Sequence, residues 1–399
     1  MHFHIIIYAF LFAIQSFFAL AVPDTLRFVI SINRHGDRSP GVFMDEEGKK
    51  YWRQGKRQLT TLGMNQTFHL GQFLRQRYDG FLSREYIRDE SGLCIAAGLY
   101  PPAGAQVWNP AIPWQPVPIH TVPQFNDPVL KPKKYPCPKR DNWKKTHDEP
   151  IWQQINKDNQ DLVDLIANET EFTDITKAYF VLYSRIAHGL PLPEWFTEDI
   201  YDRFKELDRL DSILAVNDPI EKRLIGGPLM GKILQLLTEK IGGKLTNKMW
   251  IFSAHQTNVQ SLTSLMGIAN NRTVPLAAAV ILELHQTYAN QYQIKIFFRN
   301  ETDGVETGLH ELVIPECTAR TDGCPWEIFR DTLTPKSLAN TAEVIKACQI
   351  NDSTPTTEKP DKSSGKESNE KTNEKSKSSS EDKSSDSKSE SSKSSDEDK

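Results

Sequence analysis

Arg34-His35-Gly36-Asp37-Arg38-Ser39-Pro40 sets two guanidinium groups on either side of one imidazole. Guanidinium forks match phosphate oxygens bidentately, and an imidazole held between them can attack or protonate the same group. Gly36 permits close backbone approach to such an anion. A second histidine stands in Phe252-Ser253-Ala254-His255-Gln256-Thr257. A lone arginine–histidine pair is most often a surface ion-pairing site. Two histidines, each directly following a short apolar run and one of them between arginines, point instead to a functional origin.

Both runs read as strands. Leu26 to Ile32 is β-branched and aromatic, and Met249-Trp250-Ile251-Phe252-Ser253-Ala254 is similar. In an open α/β sheet, ligands bind just beyond the carboxyl ends of the strands, where His35 and His255 would then lie. Leu70, Phe73, Leu74 and Tyr78 share one side of a helix predicted to start near Thr61. Residues 101–136, dense in Pro and Trp, read as a long irregular excursion, and residues 150–240 carry helical patterns. Val280 to Leu284 and Gln293 to Phe298 form a third and fourth candidate strand. This order suggests an α/β sheet with a largely helical second lobe.

The chain of 399 residues, with 38% hydrophobic and 25% charged residues, can bury one large core or two ordinary ones. A net charge of −4 argues against nucleic acid as the main partner. The ends differ from the body. Residues 5–20 are an apolar run closed by Ala19-Leu20-Ala21, which makes residues 1–21 a secretory signal peptide, although no Lys or Arg precedes the run. No later stretch is long and apolar enough for a membrane anchor, so a secreted, extracellular protein is expected. Residues 353–399 contain no hydrophobic residue and should be disordered. Residues 22–352 remain as the folded body.

Secretion agrees with five Asn-x-Ser/Thr acceptors, Asn65, Asn168, Asn271, Asn300 and Asn351. The five cysteines include no Cys-x-x-Cys site. Cys317 and Cys324 are close enough in sequence to close a small loop, and Cys137 with Cys348 would tie the middle of the body to its end. Cys94 is left as an odd, buried thiol. No cofactor or metal site is expected.

The heptad 34–40 resembles the signature of the histidine acid phosphatases. The resemblance continues through Gly63-Met64, Leu99-Tyr100-Pro101-Pro102, Trp114 to Thr121, Leu192-Pro193-Glu194-Trp195, Phe252 to His255 and Arg299 to Thr302. It covers residues 25 to 350 in order. It implies an α/β fold of the phosphoglycerate-mutase-like type. There a mixed, mostly parallel sheet is flanked by helices and carries a smaller, mainly helical cap at roughly 105–230. It also implies the Cys137–Cys348 and Cys317–Cys324 pairings. By the same resemblance His35 is the nucleophile that forms a phosphohistidine, Arg34 and Arg38 clamp the phosphate, and His255 hydrogen-bonds it.

Two departures bear on activity. Gln256 stands where the family has an acidic proton donor, and an amide cannot deliver a proton to a departing alkoxide. Losing a general acid typically lowers rate by about 10²–10⁴-fold. The segment Asp89 to Gly98 lacks the family's third phosphate arginine; Arg88, the available stand-in, falls one strand end too early, and Asp89 and Glu90 bring acids. The combination resembles the salivary acid-phosphatase-like proteins of fleas. That resemblance implies an impaired enzyme that scavenges small host mediators, biogenic amines such as serotonin and also leukotrienes. Phe43, Trp52, Trp108 and Trp114 are the aromatics available for such a ligand. The alternative is a secreted or lysosomal-type acid phosphatase with reduced activity on phosphomonoesters. In either case the partner is a small molecule.

Overall fold

Leu26–Arg34 forms β1, the strand on which the rest of the sheet is organised. It is buried on both faces, so its side chains read as a nearly continuous apolar run rather than an alternating one. The computed structural model describes residues 25–83, 93–104, 107–172, 174–300, 308–320 and 322–350. The expected signal peptide at 1–21, the expected tail at 353–399, Asn351 and the segment carrying Arg88, Asp89 and Glu90 lie outside the described residues.

The other strands are β2 (Met249–Ala254), β3 (Ala279–Gln286), β4 (Tyr292–Arg299), β5 (Leu309–Leu312) and β6 (Cys324–Pro325). Their order is β2-β1-β3-β4-β5, with β6 paired to β4. The sheet is mixed, as expected, but it is not mostly parallel. Only β1 and β2 run parallel; β3, β4, β5 and β6 pair antiparallel with their neighbours. The reason is connection length. β3 and β4 are joined by the short stretch Thr287 to Gln291, which can only reverse the chain, whereas β1 and β2 are separated by the whole helical insertion.

In chain order the α-helices are α1 (Glu46–Tyr51), α2 (Thr61–Arg77), α3 (Leu93–Leu99), α4 (Pro138–Trp143), α5 (Glu149–Asp158) and α6 (Gln160–Glu169). They continue with α7 (Ile175–Ala187), α8 (Glu198–Asn217), α9 (Pro219–Ile241), α10 (Gln256–Leu265), α11 (Trp326–Leu333) and α12 (Thr341–Cys348). Phe28, Ile30 and Ile32 meet Leu229, Ile233 and Leu237 of α9 and Val259 and Leu262 of α10 on one face of the sheet. On the other, Val29, Ile251 and Ile281 pack on Leu70, Phe73 and Leu74 of α2 and on Leu99 of α3. Helices α6, α7 and α8 bury an apolar cluster of their own, which includes Leu162, Ile166, Leu182, Phe204 and Leu207.

Cys137 is bonded to Cys348 and Cys317 to Cys324, as expected. Cys94 is free and half-buried rather than buried. Asn65, Asn168, Asn271 and Asn300 are all exposed. Among the described residues no helix is long and apolar enough to cross a membrane.

Asp218 caps α9 by accepting from the backbone N–H groups of Ile220 and Glu221, at 2.8 and 2.9 Å. Glu221 itself is buried, and its Oε2 has no hydrogen-bond partner. Burial first, and the Asp148 carboxyl second, push it up from 4.5 to about 7. A carboxyl raised in the fold stabilises the protein below its unfolded value and loses that contribution as pH climbs through its folded one. Glu221→Gln is therefore expected to flatten the fall in melting temperature between pH 4.5 and 7.5. Parallel melting curves for variant and parent would count against this assignment.

Candidate active site

The parallel pairing of β1 with β2 aligns Arg34 with Ala254, so the next residue of each strand is a histidine at the same level. The His35 backbone N–H donates to the Ala254 carbonyl at 3.2 Å. The two imidazoles lie edge to face, 5.4 Å between centroids. His255 caps α10, its backbone N–H donating to Asn258 Oδ1 at 3.1 Å, so the positive end of that helix opens at the site.

The loop after β1 is held by α2. A Cβ on Gly63 would stand 2.1 Å from the Asp37 carbonyl oxygen, and one on Gly36 would stand 2.2 Å from the Gly63 carbonyl oxygen. Only glycine fits at either position. Asp37 is buried and is not a free acid: it accepts from Thr60 Oγ1 at 2.6 Å and from His188 Nε2 at 2.7 Å. His188 follows α7 and packs against Trp52 and Tyr51, so the loop is tied to the helical insertion as well as to the sheet. Arg185, one turn earlier, forks to Asp45 at 2.9 Å and Glu47 at 2.7 Å, binding α1 to α7.

His35 Nδ1 lies 2.7 Å from the Gly36 carbonyl. A carbonyl only accepts, so Nδ1 carries the proton and Nε2 keeps its lone pair. Burial, and then the Arg38 charge, lower His35 to about 2. Burial and Lys131 lower His255 to about 3. Both rings are thus neutral at ordinary pH. Arg34 donates to the Val274 carbonyl, but its buried Nε has no hydrogen-bond partner. Among the described residues no carboxylate is paired with the Arg38 guanidinium. The site is an array of cations and neutral rings in which only the Asp208 carboxyl, within electrostatic reach of Arg34, offsets the positive charge, which suits a bound anion.

Gln256 begins α10 and donates from Nε2 to Ser212 Oγ of α8 at 2.5 Å. It is occupied as a donor and has no proton to transfer. The cavity in front of His35, about 300 Å³, is lined by Arg34, Arg38, Arg57, Lys177, Phe180 and Tyr183 among others. The aromatics expected from sequence are elsewhere. Trp52 is buried against His188, Trp108 is exposed with its Nε1 donating to the Trp114 carbonyl at 2.8 Å, and Phe43 lies under the Lys56 ammonium. None of these four borders the cavity.

Sequence reasoning missed Lys131, Asp208, Arg57 and the α7 side chains. Lys131 adds positive charge facing Arg38 and His255. Burial raises Asp208 to about 6 although Arg34 opposes the shift. Lys131, Asp208 and the α7 side chains sit far in sequence from both histidines, Arg57 lies at the end of the loop that follows His35, and no local pattern marks any of them. The Asp127 to Lys131 turn offered the nearest signal: Asp127 Oδ1 accepts from Val129 and Leu130, and Asn258 of α10 donates to the Val129 carbonyl at 3.1 Å.

The comparisons with known proteins agree with this geometry. The description "Histidine phosphatase superfamily (branch 2)" matches residues 25–299. Bovine (Bos taurus) lysosomal acid phosphatase is 36% identical over 329 residues, covering 76% of this chain and 76% of the relative. Bovine prostatic acid phosphatase is 32% identical over 335 residues, covering 78% and 85%. Among solved structures, the apo phytase of Hafnia alvei superposes with a TM-score of 0.56 at 17% identity, covering 83% of this chain and 100% of that one. The phytase of Citrobacter braakii gives 0.57 at 14% identity, covering 82% and 100%; both likenesses speak to the fold alone. A strand-end imidazole flanked by arginines, a second histidine level with it across a parallel strand pair, and matches of this extent place the chain in branch 2 of the histidine phosphatase superfamily.

Proposed function

We propose that the protein binds phosphate monoesters and hydrolyses them slowly through a phosphohistidine on His35. The observation that carries this is the open Nε of buried Arg34 beside an imidazole whose Nε2 lone pair is free. Arg34 and Arg38 neutralise the phosphoryl oxygens and hold phosphorus in line with Nε2. Nε2 attacks, the ester P–O bond breaks, and the leaving oxygen takes the electron pair. His255 hydrogen-bonds the transferring group. Water then attacks phosphorus, the P–N bond breaks, and phosphate leaves with His35 restored. Gln256 supplies no proton to the leaving oxygen, so departure depends on that oxygen's own acidity. The chain is thus an impaired member of its family, and secretion, read from residues 1–21, belongs to the same proposal.

The test is the leaving group. 4-Nitrophenyl phosphate should be cleaved while glycerol 2-phosphate is nearly inert. Gln256→Asp should raise the alkyl rate about tenfold and change the aryl rate little; a fully restored general acid would give up to about 10²–10⁴-fold. Equal cleavage of both esters by the parent would mean that another group, Asp208 first, delivers the proton, and the impaired-site reading would fail.

One observation favours a second reading, capture of an aromatic amine. The Asp208 carboxyl lies within electrostatic reach of the hydroxyls of Tyr179 and Tyr183, and a carboxylate beside ring faces suits an ammonium group. Against it stands Arg34, which shares that carboxyl. An amine needs Asp208 ionised, so serotonin binding should strengthen as pH rises through about 6. Titration at pH 5 and 7.5, with and without millimolar phosphate, decides it: no heat of binding at either pH removes this reading.

A further inference from the structure

We infer that the cleft selects phosphate monoesters carrying a second anionic group, which Arg57 and Lys177 receive while the phosphoryl group sits at His35; this rests on the phosphate-site reading above.

Arg57 is the starting point. Its φ of 60° is left-handed, a conformation that glycine and asparagine adopt readily and arginine does not. Its backbone N–H donates to the carbonyls of Ser39 and Pro40, at 3.2 and 3.3 Å, in the loop that carries Arg38. Strain of this kind persists where the surroundings impose it and is a pointer to function. The conformation lays the guanidinium along the loop. A Cβ on Gly41 would come within 2.9 Å of Arg57 Nε, so the absence of a side chain at position 41 gives the guanidinium its place. Arg57 and the phosphate-site arginines line one cavity, and no described carboxylate is paired with Arg57.

Helix α7 adds a second such cation to the cavity. Lys177 and Phe180 lie three residues apart on α7 and therefore share a face. The Lys177 ammonium is held only loosely by Asp174, at 3.4 Å between two exposed side chains. Phe180 is 44% exposed, a large ring left open beside the cavity. Val42, Val181 and Leu276 add apolar lining to the same cavity. The cavity thus brings together the Arg34 and Arg38 guanidinium groups, apolar side chains and two further cations, Arg57 and Lys177, that are exposed to solvent. A matching ligand has a phosphoryl group, a hydrocarbon or aryl spacer, and a distal carboxylate or second phosphate.

Phosphonates test this without turnover, because their P–C bond is not hydrolysed. Propylphosphonate is compared with 3-phosphonopropionate, and hexylphosphonate with 6-phosphonohexanoate, by calorimetric titration at low salt. The expected result is tighter binding of the distal acid at one or both lengths, by about five- to tenfold, as two partly exposed charge contacts can provide. Arg57→Asn combined with Lys177→Gln should abolish that preference, bringing the affinity of each acid down to that of its parent phosphonate in the same variant. Asparagine accepts the left-handed backbone and Lys177 is exposed, so both changes preserve the fold. Equal binding of acid and parent phosphonate at both lengths, or a preference that survives the double substitution, overturns the inference and leaves the phosphate site standing. Failure of every phosphonate to bind overturns the phosphate-site reading and the inference with it.

Discussion

His35→Ala is expected to lower hydrolysis of 4-nitrophenyl phosphate by on the order of 10³-fold or more, leaving only the residual acceleration that binding and the arginines provide, since a nucleophile that acts with its neighbours as a unit cannot be removed piecemeal. The size of the effect follows from the site. Arg34, Arg38 and His255 can still gather the ester, but the arginines carry no nucleophilic lone pair and His255 is assigned to hydrogen-bond the transferring group rather than to attack it. Binding should survive the substitution, so KM is expected to move far less than kcat. Alkaline quench of the parent during turnover should trap an acid-labile phosphoryl group on His35, and the variant should trap none. Exogenous imidazole, able to enter the space vacated by the ring, should restore part of the rate. A variant that retained the parent rate would assign the chemistry to water attacking directly, and His35 would become a phosphate ligand only.

The second large effect concerns stability. The Cys137–Cys348 bridge spans 211 residues and ties the start of α4 to the end of α12. Both cysteines are buried, in a cluster with Leu224 of α9, Leu338 and Val344. Closing so long a loop restricts the unfolded chain strongly, and opening it through Cys137→Ala with Cys348→Ala is expected to cost about 5 kcal/mol. The Cys317–Cys324 bridge closes a separation of only 7 residues, and its removal should cost roughly half as much. Chemical denaturation of the two double variants beside the parent measures the ranking. Equal losses would show that the stabilisation comes from local packing of the sulfur atoms and not from the length of chain they close.

The chemistry at positions 34 to 38 and the second histidine were legible because strand ends announce themselves locally. An apolar β-branched run, a polar break and a cluster of arginines around an imidazole all occur within about a dozen residues. The helix from Thr61, the helical character of residues 150 to 240 and the two disulfides were equally plain. The replacement at Gln256 could also be seen, because one amide where a carboxyl is needed is a change of functional group, independent of conformation.

What the fold alone decided is of another kind. The direction of β3 and β4 depended on the shortness of the Thr287 to Gln291 connection and not on the composition of either strand. The walls of the cleft come from α7, from the turn at Arg57 and from Leu276, segments far apart in the chain and brought together by packing. Phe43, Trp52, Trp108 and Trp114 looked available for a ligand because aromatic residues carry the same label whether they face a core or a cavity; burial against His188 consumed Trp52. The buried Asp37 is hydrogen-bonded by Thr60 and His188, which no spacing foretells. Residue type determines what a side chain is able to do, whereas charge state, exposure and company are properties of neighbours distant in the chain. For that reason the chemistry proposed for this protein can be read along β1 and β2, while the sign and shape of what its cleft accepts emerge only from the packed helices around them.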